Sequence, residues 1–270
     1  MKLSFSTLGC PRWTLSEITT TAKDLGLDGI EIRGVGNEMY APDIEDFSNK
    51  NLDSTVQKLS KIGLEIPMLT SGAILADKQK AQDSFVEACA YVNLAGKIGV
   101  KYIRVMATGD PQVTDGDFEL GSKLYGLLCD YASLFDVTPL IETNGALSSS
   151  KEILKFIENS GSKNTGILWD IHHTVCYGKE SPEKTVKLLG NAIKHVHVKD
   201  SALIDGKIEY KMMGHGNIPI TDSLLALKSE GYDGFVSLEW VKRWKPDLQE
   251  PGIVFAHFKS YMDTLLSNIS

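Results

Sequence analysis

Glu142, Asp170, His197 and Glu239 bring together three carboxylates and one imidazole. That is a hard, oxygen-rich donor set, suited to Mn2+ or Mg2+ and open to Co2+ or Zn2+. Their spacing is 170−142 = 28, 197−170 = 27 and 239−197 = 42 residues, and each lies at or near the end of a short apolar run. Neighbouring strands stand about 4.8 Å apart, so side chains ending four successive strands can converge on one divalent ion. The alternative for such a set is a structural salt-bridge cluster. Each unpaired charge taken into an interior costs several kcal/mol, so the group must pair internally or hold a metal.

The elements that would carry these residues repeat along the chain. Eight strand candidates, "KLSFST", "DGIEIR", "LEIPML", "KYIRVM", "TPLIET", "GILWD", "IKHVHV" and "FVSLEW", alternate with segments of helical periodicity such as "SFVEACAYVNLAGKIG". Thr14 with Glu17 reads as a capping box, Pro182 after Ser181 as a first helical residue, and Gly26, Gly63, Gly99 and Gly231 as helix stops. Eight units in 270 residues, with no linker between them, predict a single α/β domain over residues 1–270, a (β/α)8 TIM barrel. An open doubly wound sheet is the competing architecture, but no G-x-G-x-x-G follows the first strand. The longest irregular stretches, about 34–50 and 199–218, are expected to be loops over the mouth.

Strand parity separates two sets of side chains. Ile30, Ile32, Ile103, Val105, Ile141, Val196, Val198, Val236 and Leu238 form an apolar set expected under the helices. The opposite set contains Glu31, Arg33, Tyr102, Arg104, Glu142, Asp170, His195, His197, Lys199, Ser237 and Glu239. A barrel interior this polar is expected where chemistry is done, at the C-terminal ends of the strands. Lys199 and Arg104 could hold a substrate carbonyl, carboxylate or phosphate, or serve as internal counter-ions. His195 is expected in the core, His172 in packing or behind the residues that meet the ligand, and Trp13, Trp240 and Trp244 as an apolar wall or as packing beneath loops. Cys10 has no partner in the sequence that would make it a nucleophile.

The formal net charge of −7 and the absence of a basic run argue against a nucleic-acid surface. No apolar stretch approaches the roughly 20 residues of a membrane helix, and "MKLSFST" lacks the apolar region of a signal peptide. Cys10, Cys89, Cys129 and Cys176 form no C-x-x-C, which predicts reduced thiols and a cytoplasmic protein.

In the order "PLIETN", "LWDIHHT", "IKHVHVKD", "GHGNIP" and "GYDGFVSLEW", with "FSTLGCPRWTLSEI" and "AKDLGLDGIEIR" at the start, the chain resembles the sugar isomerase/epimerase superfamily of xylose-isomerase-like barrels. The resemblance implies that Glu142, Asp170, His197 and Glu239 are the metal ligands and that Glu142 and Glu239 move protons at carbon. It implies that His173 holds a substrate oxygen. "LEIPMLTSG" and "KYIRVMATGD" lack the histidines of the superfamily's nuclease branch, and "GHG" at 214–216 departs from the Gly-Glu-Gly of many relatives, leaving the role of His215 open. Relatives are often dimers or tetramers, so a homo-oligomer stays open.

Proton removal next to a carbonyl creates an enediolate, which a divalent ion stabilises while two carboxylates exchange the proton. Three function classes follow. The first is a metal-dependent isomerase or epimerase of a ketose or related small sugar. The second is a dehydratase of a keto-inositol or dehydroshikimate-like substrate, and the third a non-catalytic sugar or metal binder. The intact Glu142 and Glu239 pair disfavours the third. The walls expected to choose between the first two are the loops at 34–50, 107–117 and 240–250.

Overall fold

The computed structural model describes residues 1–110 and 115–269; residues 111–114 of the expected wall 107–117 lie outside them. Along the chain run β1 (Lys2–Ser6), α1 (Leu15–Asp24), β2 (Gly29–Glu31), α2 (Leu52–Ile62), β3 (Leu69–Ile74), α3 (Ala81–Ile98), β4 (Tyr102–Met106), α4 (Phe118–Ser133) and β5 (Thr138–Glu142). There follow α5 (Ser150–Ser160), β6 (Gly166–Asp170), α6 (Ile171–Cys176), α7 (Pro182–Leu189), β7 (Ile193–Val198), β8 (Asp200–Ile204), β9 (Lys207–Lys211), α8 (Ile220–Ser229), β10 (Phe235–Leu238) and α9 (Pro251–Ile269). Among the described residues one eight-stranded sheet has the order β2-β1-β10-β7-β6-β5-β4-β3, and β8 and β9 form a separate hairpin. Every strand pairing described in the large sheet is parallel.

Two compact units emerge: residues 67–196, and residues 1–66 together with the segment from His197 onward. In the first, β3 to β6 pair in sequence order. Met68, Leu140 and Leu168 make a buried cluster against which Tyr102 packs. Two residues further along β4, β5 and β6 come Arg104, Glu142 and Asp170, all buried. The alternation of side chains along a strand therefore stacks a charged layer on an apolar floor. In the second unit β1 pairs with β2 and β10, with Ser6 opposite Glu31 and Phe5 opposite Leu238. The Phe5 ring stacks on Phe255 of α9 at 3.9 Å between centroids.

The apolar parity set is at most 1% exposed throughout. The capping box is formed, with the Thr14 amide donating to Glu17 Oε2 at 2.7 Å and the Glu17 amide to Thr14 Oγ1 at 3.3 Å. Ser181 caps α7 with Pro182 in its first turn, and the four predicted stop glycines all have positive φ.

Two expectations need correction. The third strand is not "LEIPML" but Leu69–Ile74, "LTSGAI". Pro67 has no N–H to give to a ladder, so apart from Leu69, where the strand starts, the predicted run contributes an isolated bridge from Glu65 to Gly29. The true strand hides behind turn-like residues: its register against β4 is irregular between Thr70 and Ile74. Side chains of α3 make good the disrupted pairing, Glu87 accepting from Gly72 N at 2.6 Å and Ser84 from Ile74 N at 3.0 Å.

The stretch 199–218 is likewise not all loop, since it holds the β8–β9 hairpin. Asp205 and Gly206 turn it with φ of 49° and 75°, the two positive values of a type I′ turn.

Candidate functional site

In the unit of residues 67–196 the tripeptide Glu142-Thr143-Asn144 organises the strand ends. Thr143 Oγ1 accepts from the Asp170 amide at 2.8 Å, and its carbonyl faces His173 Nδ1 at 3.1 Å. A carbonyl only accepts, so Nδ1 of His173 carries the proton, and in the neutral ring Nε2 is the acceptor. Asp170 caps α6, its Oδ1 accepting from the His173 amide at 3.1 Å. The same histidine Nδ1 lies 3.7 Å from Asp170 Oδ2 and 3.9 Å from Glu142 Oε1. Arg104 Nε stands 3.4 Å from Glu142 Oε2. Asp170, His172 and His173 constitute one group of buried side chains that could hold a metal ion. His172 is fully buried, with its ring edge-on to Tyr177.

The other unit holds its charges by direct contact. His197 Nε2 lies 2.8 Å from Glu31 Oε2, with both side chains fully buried. His197 Nδ1 lies 3.5 Å from Glu239 Oε1, while Lys199 Nζ donates to Glu239 Oε2 at 2.5 Å. The Glu239 amide bonds to the Val198 carbonyl at 3.0 Å, which locks the end of β10 to β7 beside these side chains. Asp200 then gathers the "GHGNIP" loop, accepting from Ser201, Gly214, Gly216 and Ile218 amides. A Cβ on Gly216 would meet Asp200 Oδ1 at 2.1 Å, so only glycine fits there. His215 is exposed, 5.5 Å from the ring of His257, and makes no described contact with the predicted site residues.

Several side chains singled out from sequence have settled places. His195 is buried on β7. Trp240 is buried and donates to the Gln249 carbonyl; Trp13 meets Phe255 edge-on, and Trp244 is exposed. Arg33 reaches the Met39 carbonyl at 3.5 Å. Burial pushes the Cys10 thiol well above its usual range, which withholds the thiolate a nucleophile needs.

The family model for the xylose isomerase-like TIM barrel matches residues 20–259, and the chain belongs to that family. Its fold class is therefore the (β/α)8 barrel the sequence led us to expect. The fructoselysine 3-epimerase of Shigella flexneri is 22% identical over 89% of this chain and 90% of its own. An uncharacterized protein of Methanocaldococcus jannaschii is 32% identical over 132 residues, 47% of this chain and only 44% of that relative. Among solved structures, the IOLI protein with a binding zinc atom superposes with a TM-score of 0.80 at 19% identity, over 100% of this chain and 99% of that one.

Sequence reasoning gave no firm role to Glu31 and overlooked Thr143 and Asn144. Parity did place Glu31 among the inward residues. Its partner His197 is 166 residues away, however, and nothing local announces the pair.

Proposed function

We propose that the protein is a divalent-metal-dependent isomerase or epimerase of a ketose or related small sugar. Glu142, Asp170, His197 and Glu239 would hold the ion, Mn2+ or Mg2+ by preference and Co2+ or Zn2+ as substitutes. Glu142 and Glu239 would also carry the proton. The observation that carries this proposal is the setting of His197. A buried carboxylate on one ring nitrogen fixes the imidazole and turns the other nitrogen into the ligand, the outer-shell device of metal-binding histidines. Here Glu31 takes Nε2 and directs Nδ1 to the side of Glu239.

The donor chemistry fits an ion in other respects. Asp170 accepts the His173 amide with Oδ1, and its carboxylate has a second oxygen that could meet an ion. Sheet order supports the choice of four residues, because β10, β7, β6 and β5 are successive neighbours and each ends within one residue of one of them. The zinc named for the IOLI protein and the epimerisation named for the Shigella relative point the same way.

A bound divalent ion supplies positive charge against the negative oxygen that develops as the substrate C–H ionises. This chain's residues do the rest. One glutamate withdraws the proton and the other returns one, to the opposite face or to the neighbouring carbon. Lys199 beside Glu239 and Arg104 beside Glu142 set cations next to both proton carriers, where they can also meet substrate oxygens. His173, with Nδ1 protonated against Thr143, directs Nε2 to a substrate hydroxyl.

The test is deuterium incorporation followed by NMR in D2O. Mn2+ or Mg2+ is supplied, with a chelated control, and the panel comprises ketoses, ketose phosphates, inososes and fructoselysine. Metal-dependent exchange is expected at a carbon next to the carbonyl. Glu239→Gln should slow it by about 10²–10⁴-fold while the far-UV spectrum stays native. Loss of a hydroxyl with the proton would identify a dehydratase instead. Absence of exchange with metal demonstrably bound would leave a binder.

A further inference from the structure

Beside Glu142 the structure leaves unspent polar atoms of both kinds. Arg104 is 5% exposed, and its Nε and Nη1 are buried without a hydrogen-bond partner. Its 3.4 Å approach to Glu142 Oε2 is an ion pair lacking hydrogen-bond alignment. A guanidinium kept only as an internal counter-ion would be expected to spend these donors, because each one buried unmade costs free energy.

Asn144, 3% exposed, presents the complementary case: its Oδ1 is buried and has no partner. The side chain is not ambiguous in orientation. Nδ2 donates to the Thr108 carbonyl at 3.1 Å and lies 3.2 Å from Met106 sulfur, so a flipped amide would set oxygen against oxygen. The backbone is held as well, with the Asn144 amide on the Glu142 carbonyl at 2.8 Å and the Leu147 amide on the Asn144 carbonyl at 3.0 Å.

We propose that Arg104 and Asn144 flank Glu142 as a donor–acceptor pair that reads a carbonyl oxygen together with the hydroxyl on the adjacent carbon. Arg104 donates to the oxygen that becomes negative when Glu142 takes a proton, and Asn144 Oδ1 accepts from the neighbouring O–H. The pair selects α-hydroxy carbonyl compounds over plain ketones, because a substrate without the hydroxyl leaves the Asn144 acceptor buried and unpaired. The site explains why both kinds of atom are left unspent within one short stretch of the fold. This inference rests on Glu142 as a proton carrier, and it makes Asn144 a specificity residue of that site.

Binding of two small probes, dihydroxyacetone and acetone, tests it without requiring turnover. The Arg104 Nε–H and Asn144 side-chain resonances are followed in ¹⁵N-labelled protein. Dihydroxyacetone should shift both resonances and bind roughly tenfold tighter than acetone. Asn144→Leu should abolish that preference, and Arg104→Lys should weaken both probes. Equal affinity of the wild type for the two probes, or no shift of either resonance, overturns the pair whether or not the variants fold.

The same samples in D2O with metal keep the two conclusions apart. Selective binding without C–H exchange of any substrate in the panel supports the pair and removes the catalytic assignment. Exchange that survives Arg104→Lys and Asn144→Leu unchanged removes the pair and leaves the assignment standing.

Discussion

The two compact units keep their buried charges in place by opposite means. Around Glu31, His197, Lys199 and Glu239 charged or ionisable groups meet one another directly, at 2.5 and 2.8 Å in the two closest contacts. Around Glu142 and Asp170 the described contacts include neutral latches, a threonine hydroxyl and a backbone amide, and charged groups standing 3.4–3.9 Å apart. Strong charge-assisted bonds hold a group against movement but leave a bare buried charge when one partner goes. Neutral latches fix the backbone that carries the carboxylates. One half is thus held by its own charges, the other by its strand ends.

Substitutions can break that contrast, and the largest effect is expected at Lys199. Lys199→Met strands the Glu239 carboxylate in the interior and should cost about 3–5 kcal/mol in chemical denaturation. Pairing it with Glu239→Leu should recover much of the loss; a small cost for the single change would show that the pair carries little of that half. Next comes Glu31→Gln, which keeps the shape but weakens the hold on His197 Nε2. Metal affinity by calorimetry should fall by about 10–100-fold with the fold intact, and an unchanged affinity would take Glu31 out of the metal site. The mildest is Thr143→Val, which removes the neutral latch on the Asp170 amide. About 1–3 kcal/mol should be lost, with metal affinity altered less than by Glu31→Gln. A reversed order of those two affinities would mean that backbone placement, not charge pairing, governs the site.

Much of this was legible in the chain. Apolar runs and glycine stops announce the strands and helices because burial on both faces of a parallel sheet demands near-continuous apolar residues. The β3 segment escaped since its pairing is completed by Glu87 and Ser84, side-chain contacts that no periodicity encodes. The hairpin was signalled by Asp205-Gly206 between alternating residues, and only the expectation of a loop concealed it. Parity brought Arg104, Glu142, Asp170, His197 and Glu239 to one set. It could not say which atoms of Arg104 and Asn144 would be left over, because that depends on hydrogen-bond angles and on which neighbour claims each amide.

The four amides gathered by Asp200 have a consequence for how the chain can change. With the Asn217 amide on the Ser201 carbonyl at 2.7 Å, they sew together the two ends of the excursion that carries the hairpin. Lys199 sits immediately before the seam. Whatever the excursion gains or loses in length beyond it, closure of the seam costs only logarithmically more with each added residue. The arm outside the seam is therefore free to be shortened, extended or exchanged over generations while the lysine at its root keeps its place.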